Sequence, residues 1–315
     1  MGAKSQRVFN KKEPLAHTFS IVARDNITGE MAVGVQSHWF SVGTAVPWAE
    51  AGVGAVATQS FVDKSYGTKG LALLKQGFTS QEVLDSLTKA DAGREVRQVA
   101  IIDSKGNVAV HTGRNCVQYA TQIKGMNFSV QSNMMLGGKV SESMAASFKA
   151  TEGKPLAERV LLALEAAQKA GGDIRGMQAA AIVVVPAKST GEPWNERTVD
   201  LRIDDSPAPL KELRRLYNLH LAYGHMNNGD LAVEKNDMAL AMNEYKAAMK
   251  MFPGNLEMQY WTAITLANNK QVEKSKPMLK SIFMKDKNWR ELTRRLKPVG
   301  LLTVSEKDEQ AILSL

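Results

Sequence analysis

The sequence predicts an α+β chain: a four-layer αββα sandwich followed by a small all-α domain. Three observations carry that expectation. Strand-like and helix-like runs come in blocks (strands, helices, strands, helices, strands), whereas a doubly wound parallel sheet needs them to alternate one by one. Two of the strand-like runs, VGAVATQ and AAAIVVV, are built almost wholly of small or apolar residues, which suits fully buried strands. Beyond Pro207 and Pro209 every apolar pattern is helical.

The elements follow in order. Residues 1–16 read as a leader or flexible arm. From Thr18, TFSIVAR and EMAVGVQ flank the turn formers of DNITG and predict a hairpin with a longer loop. VGAVATQ is a third strand. YGTKGLALLKQG predicts a short helix stopped by Gly77, and Thr79 with Glu82 has the spacing of a capping box that opens a second helix. RQVAIID and NVAVHT are strands joined across SKG, and FSVQ is another. Helices are expected from about Ser141 to Ala150, and from Pro155 to the Gly171-Gly172 stop. AAAIVVV and TVDLRI close the sandwich, which is expected over 17–205.

The expected helical domain is 210–315. Part of it resembles a tetratricopeptide repeat through Gly229, Ala241, Tyr245, Ala248 and Pro253. A weaker copy follows at Ala263, Ser275, Leu279, Ile282 and Lys287. Two repeats are fewer than the three or so that a free-standing solenoid needs. The helices are therefore expected to pack on the first domain or on a second subunit, and a homo-oligomer, a dimer, is expected.

Composition bounds the function. The 315 residues are 44% hydrophobic and 23% charged, an ordinary soluble composition with room for two domains. A single cysteine, Cys116, excludes an intrachain disulfide. Residues 1–17 contain no apolar run of the kind a secretory signal needs, and no stretch approaches a transmembrane span. The compartment is left open: cytoplasmic, or extracytoplasmic if a signal was trimmed ahead of residue 1. The net charge of +8 is unevenly placed, because residues 17–205 hold 19 basic and 19 acidic side chains while 206–315 hold 17 and 12. No nucleic-acid motif accompanies this basicity, so no nucleic-acid partner is expected. The ten basic residues between Lys270 and Lys297 read first as a solvated helical face.

Most motif matches fail on context. Gly52 to Ala57 fits a G-x-G-x-x-A fingerprint, but strand and loop follow it where a helix is required. The five histidines are scattered, and His220 and His225 have the wrong spacing for a ligand pair, so no metal is expected. G-x-S-x-G is absent, which argues against an α/β-hydrolase. Asp173 and Arg175, in a glycine-bracketed loop, are expected to pair as a structural clamp. The remaining candidate is Thr18, a hydroxyl residue at the head of the first strand. Polar clusters at strand ends accompany it: Arg24 and Asp25, Gln59 and Ser60, Gln131 and Asn133. Amide side chains in such positions can orient a substrate or supply an oxyanion donor.

HTFSIVARD, VPWAEAGVGAVATQS, YGTKGLALL, AGREVRQVAIID, VQSNMM, PLAERVLLALEAA, GGDIRGMQAAAIVVV and VDLRIDD together resemble a bacterial domain-of-unknown-function family, the ten-twenty-eight family. That family is placed in the superfamily of N-terminal-nucleophile (Ntn) hydrolase-like folds. The resemblance implies the αββα sandwich, with a nucleophile at the head of strand one. Many members begin at or near a Met-Thr that aligns with Thr18, whereas this sequence carries 17 residues ahead of it. The implied activity is amide-bond hydrolysis of a small amide or peptide, with Thr18 attacking and its freed α-amine as base. It needs no metal or organic cofactor. Arg24 and Asp25 would orient charge, and Gln59, Ser60, Gln131 and Asn133 would contact substrate or oxyanion. The alternative is a catalytically inactive binding or assembly protein that meets a protein partner through residues 210–315.

Overall fold

The computed structural model describes residues 15–315, so the expected arm over 1–16 lies outside the described residues except at its end. The chain divides into two compact units, one ending at Leu216 and the other spanning Tyr217–Leu315.

The first unit is built on two antiparallel sheets. The smaller holds β1 (Leu15–Ala16), β4 (Pro47–Glu50), β5 (Gly54–Phe61), β6 (Arg97–Asp103) and β7 (Val108–Thr112). β6 occupies one edge of β5; β4 and then β1 share the other, with Ala16 opposite Ser60 and Leu15 opposite Phe61. The larger sheet runs β11 (Val199–Ile203), β10 (Ala179–Val185), β3 (Met31–Ser37), β2 (Thr18–Arg24), β9 (Phe128–Ser132), β8 (Thr121–Gly125). His17 alone joins β1 in the smaller sheet to β2 in the larger, so the chain changes sheets immediately before Thr18.

Each sheet buries its outer face under two helices. α1 (Ser65–Lys75) and α2 (Ser80–Ala90) cover the smaller sheet, with Tyr66, Leu74 and Val83 against Val56, Val99 and Ile101. The Thr79–Glu82 capping box opens α2 as its spacing predicts. α3 (Val140–Ala150) and α4 (Leu156–Lys169) cover the larger sheet. α4 comes so close that a Cβ on Gly34 would lie 2.3 Å from Val160 Cγ1, which only glycine avoids. Between the sheets lie Val22, Val33, Ala55, Ala57, Ala100 and Ile102. The order helices, sheet, sheet, helices is the expected four-layer sandwich.

Side chains alternate along each strand, so this inner core predicts which polar residues share its side. Val22 faces inward, and with it Ser20 and Thr18; Ala57 brings Gln59; Ala100 brings Gln98. One end of the apolar core is therefore polar.

Three strands differ from the sequence reading. β4 starts at a proline on a sheet edge, β8 alternates half-buried and exposed residues, and β1 is two residues long. None carries an apolar run. The expected boundary at 205–210 also moves. α5 (Pro209–Glu234) begins inside the first unit, where Arg214 forks onto Glu165 (2.9 Å twice) and Glu158 (2.6 Å) of α4.

The second unit continues α5 and adds α6 (Met238–Met251), α7 (Leu256–Asn268), α8 (Val272–Lys285), α9 (Asn288–Leu296) and α10 (Glu306–Leu313). Asp237, Asn255 and Ser305 cap α6, α7 and α10 through side-chain oxygens. Gly229 leaves room for Tyr245, since a Cβ there would lie 2.3 Å from the ring's Cε1, and the Tyr245 hydroxyl donates to Asp230. Ala263, Ser275, Leu279 and Ile282 are all buried. Several cations of the Lys270–Lys297 run are paired: Lys276 with Glu273, Arg294 and Arg295 with Glu291, Lys297 with Glu309.

Candidate functional site around Thr18

Thr18 is fully buried at the polar end of the inter-sheet space. β2 and β3 pair so that Thr18 stands opposite Ser37, and the Ser37 hydroxyl donates to the carbonyl oxygen of His17 at 2.6 Å. The same oxygen accepts from Arg175 Nη2 at 2.8 Å. The peptide carbonyl that precedes Thr18 is thus held by two side-chain donors, one of them cationic. Such a pair is suited to stabilising negative charge on that oxygen.

Arg175 is fixed from behind. Asp173 takes its Nε at 3.0 Å and its Nη2 at 2.7 Å, and also accepts the backbone N–H groups of Arg175 (2.9 Å) and His38 (3.1 Å). The expected Asp173–Arg175 clamp exists, and its free side points at the His17 carbonyl.

A chain of neutral amides lines the rest. Gln59 Nε2 donates to Gln98 Oε1 (2.7 Å) and to the Thr18 carbonyl (3.2 Å). Asn133 Nδ2 donates to the same Gln98 oxygen at 2.9 Å, which turns Asn133 Oδ1 toward His17 Nδ1 at 2.6 Å. The His17 and Phe61 rings stand perpendicular to one another, with centroids 5.7 Å apart. Burial pushes the pKa of His17 down, so the ring is neutral and Nδ1–H donates. Its Nε2 and the Gln59 Oε1 have no hydrogen-bond partner among the described residues. Two buried polar atoms are left unsatisfied in one network, and such atoms cluster where function competes with stability. Ser60 and Met134 add strain beside them, since both are non-glycine residues at positive φ (73° and 57°).

The sequence-predicted residues separate into two groups. Gln59, Ser60, Gln131 and Asn133 come together with Thr18. Ser60 faces β1, and Gln131 turns its amide onto Ser20 while its carbonyl meets Gln59. Gln59 and Asn133 do not reach the carbonyl before Thr18; their contacts are with the Thr18 carbonyl and with His17. Arg24 and Asp25 are elsewhere. Arg24 ends the seven-residue β2 that Thr18 begins and Asp25 follows it, about 20 Å or more away at the rise of an extended strand. Arg24 donates to Ser104 O, and Asp25 ties a turn through Ile27 and Thr28 while pairing with Arg159 at 3.4 Å. Burial alone would raise the Asp25 pKa. The turn amides and Arg159 outweigh it and hold the carboxyl below its usual range. This is a structural lock at the wrong end of the strand for orienting anything at Thr18.

Sequence reasoning missed Ser37 and His17 and saw Arg175 only as a clamp partner. The sites with weaker claims stay weak. Gly54 to Ala57 lie inside β5, which runs on to Phe61, so the glycines do not form the strand-to-helix turn that the fingerprint needs and the match is fortuitous. Cys116 is half-buried, and burial pushes its thiol up, away from the reactive thiolate. A hollow of about 420 Å³ between α1 and α2, lined by Tyr66, Lys69, Leu73 and Asp91, does not include Thr18. Among the described residues, no helix is long and apolar enough to cross a membrane.

The model of a family of unknown function, DUF1028, matches residues 18–213. The crystal structure of a DUF1028 protein from Silicibacter pomeroyi is similar: 29% identical with a TM-score of 0.58, over 64% of this chain and 84% of that one. No curated protein matches the sequence.

Proposed function

This chain belongs to the DUF1028 family of unknown function, and on that footing we propose that it is the precursor of an amide-bond hydrolase of N-terminal-nucleophile type, with Thr18 as nucleophile. With residues 15–17 in place, Thr18 is buried and its nitrogen is an amide. The first reaction open to it is on its own chain. The Thr18 hydroxyl attacks the His17 carbonyl carbon, and the oxygen's developing charge falls on Ser37 and Arg175. The C–N bond then breaks as the hydroxyl proton passes to nitrogen, leaving His17 as an ester on Thr18 Oγ. Water hydrolyses the ester, His17 departs as a carboxylate, and Thr18 keeps a free amine and a free hydroxyl. That amine is the base for later turnovers on external amides.

The observation that carries this reading is the double donation to the His17 carbonyl, at 2.6 and 2.8 Å. No metal or cofactor enters the sequence of bonds. The burial of Thr18 favours a second reading, in which the bond stays intact and the sandwich is an inert frame for binding or assembly through residues 210–315.

Intact-mass measurement separates the two. The first reading expects a product beginning at Thr18, one β-lactone adduct per chain on that product, and neither in Thr18→Ala. Thr18→Ser should keep both. A wild-type chain that holds residues 1–17 through prolonged incubation and takes no adduct would leave the inert frame.

A further inference from the structure

β1 occupies a place on β5 that no other described strand fills. β4 covers the Gly54–Ala57 stretch of that edge, and Leu15 and Ala16 pair with Phe61 and Ser60 beyond it. His17 then turns inward. Its ring is fully buried between Asn133 Oδ1 and the Phe61 ring, immediately on the acyl side of the bond before Thr18. Loss of residues 1–17 would bare a β5 edge two residues long, a side-chain pocket the size of an imidazole, and the Ser37–Arg175 donor pair, in that order along one extended path.

We propose that this vacated path is the substrate site, and that the external substrate is an extended peptide whose acyl-side residue is histidine. The proposal rests on the hydrolase reading above and adds the substrate class to it. The two residues before the histidine pair with Phe61 and Ser60 by strand addition, which reads backbone and tolerates many side chains. The acyl residue is selected by the pocket. Asn133 presents its acceptor there, because its Nδ2 is turned onto Gln98 and its Oδ1 onto the ring. It therefore favours a ring N–H donor over a carboxylate. The Phe61 ring packs perpendicular to the imidazole, an arrangement that favours a planar group over an aliphatic one. Arg175, fixed by Asp173, holds the scissile carbonyl as it holds that of His17. The reaction is plain hydrolysis: the acyl group passes to Thr18 Oγ, the amine leaves with a proton, and water releases the acid.

The test uses the full chain after it has shed residues 1–17, with fluorogenic Glu-Pro-Leu-Ala-Xaa aminocoumarin amides, where Xaa is His, Phe, Ala or Asp. The expected order of kcat/KM is His, then Phe, then Ala roughly 100-fold below His, with Asp uncleaved, as a site built around one hydrogen bond discriminates. Removing the Leu-Ala portion should also cost roughly tenfold or more. Asn133→Ala should lower kcat/KM for the His amide far more than for the Phe amide and so collapse the His-over-Phe ratio, a change that general loss of structure would not produce. In cis, His17→Ala should slow release of residues 1–17 in the same proportion. A processed chain that takes the β-lactone yet cleaves all four peptides alike would overturn this assignment and leave the hydrolase reading standing. A chain that never sheds residues 1–17 would overturn both.

Discussion

The two ends of β2 solve the same problem in opposite ways. Both ends bury polar groups against the sandwich. At the Arg24–Asp25 end the groups are charged and tied down: Asp25 receives turn amides and Arg159, and Arg159 also lies over the Phe148 ring at 4.0 Å and donates to the Phe148 carbonyl, with its Nε left without a partner among the described residues. At the Thr18 end they are mostly neutral, and His17 Nε2 and Gln59 Oε1 have no partner among the described residues. An ion pair tied down by turn amides and an aromatic ring holds its end of the strand in one geometry. A network of amides with spare valences, closed around a carbonyl that already has two donors, can accommodate a change in that carbonyl. The difference separates a lock from a candidate site on the same strand.

The comparison is broken most forcefully at the lock. Arg159→Ala strands Asp25 with little solvent and removes the ring contact, and should lower unfolding stability by about 3–5 kcal/mol in denaturant melts. Release of residues 1–17, measured by mass under folding conditions, should be unaffected. If the variant instead stops release while still folded, the two ends are coupled and the contrast fails. At the other end the expectation reverses. Arg175→Gln should slow release roughly 100-fold, about 2.7 kcal/mol on the barrier, while Ser37→Ala costs roughly tenfold, each with a smaller effect on melting.

The smallest effect is a pH dependence. Burial lowers the His17 pKa below its ordinary 6.5, so the unfolded chain binds the proton more readily than the folded one. The stability this neutral ring contributes is complete above pH 6.5 and is lost as the pH falls below it. Carboxylates such as Asp25, held below 3.8, lose theirs only in stronger acid. Melts of Thr18→Ala, which keeps residues 1–17 attached, should decline from about pH 6.5 downward. Adding His17→Phe should remove that early decline and leave the acid limb. An unchanged profile would mean the ring is no drier than an exposed histidine.

How much of this was legible follows from the range over which each signal acts. The buried strands, the Thr79 cap and the stop at Gly77 are local, and the sequence carried them within a few residues. Gln59 and Asn133 stood out as polar residues at strand ends. Ser37 carries no such mark. It matters because the hairpin register sets it opposite Thr18, and register emerges only when the pair is formed. Arg175 meets His17 from 158 positions away. Arg24 and Asp25 misled for the converse reason, since nearness in sequence to Thr18 becomes distance once the segment is extended. β1 escaped because two residues make no pattern.

The fork of Arg214 onto Glu158 and Glu165 decides where this molecule can be cut. Leu210 and Leu213, on the same opening turns of α5, are buried as well. A truncation at residue 205, inviting because of the prolines that follow, would strip the strut between α5 and α4 from the sandwich. A fragment meant to survive alone should run at least to Leu216, where the first compact unit ends.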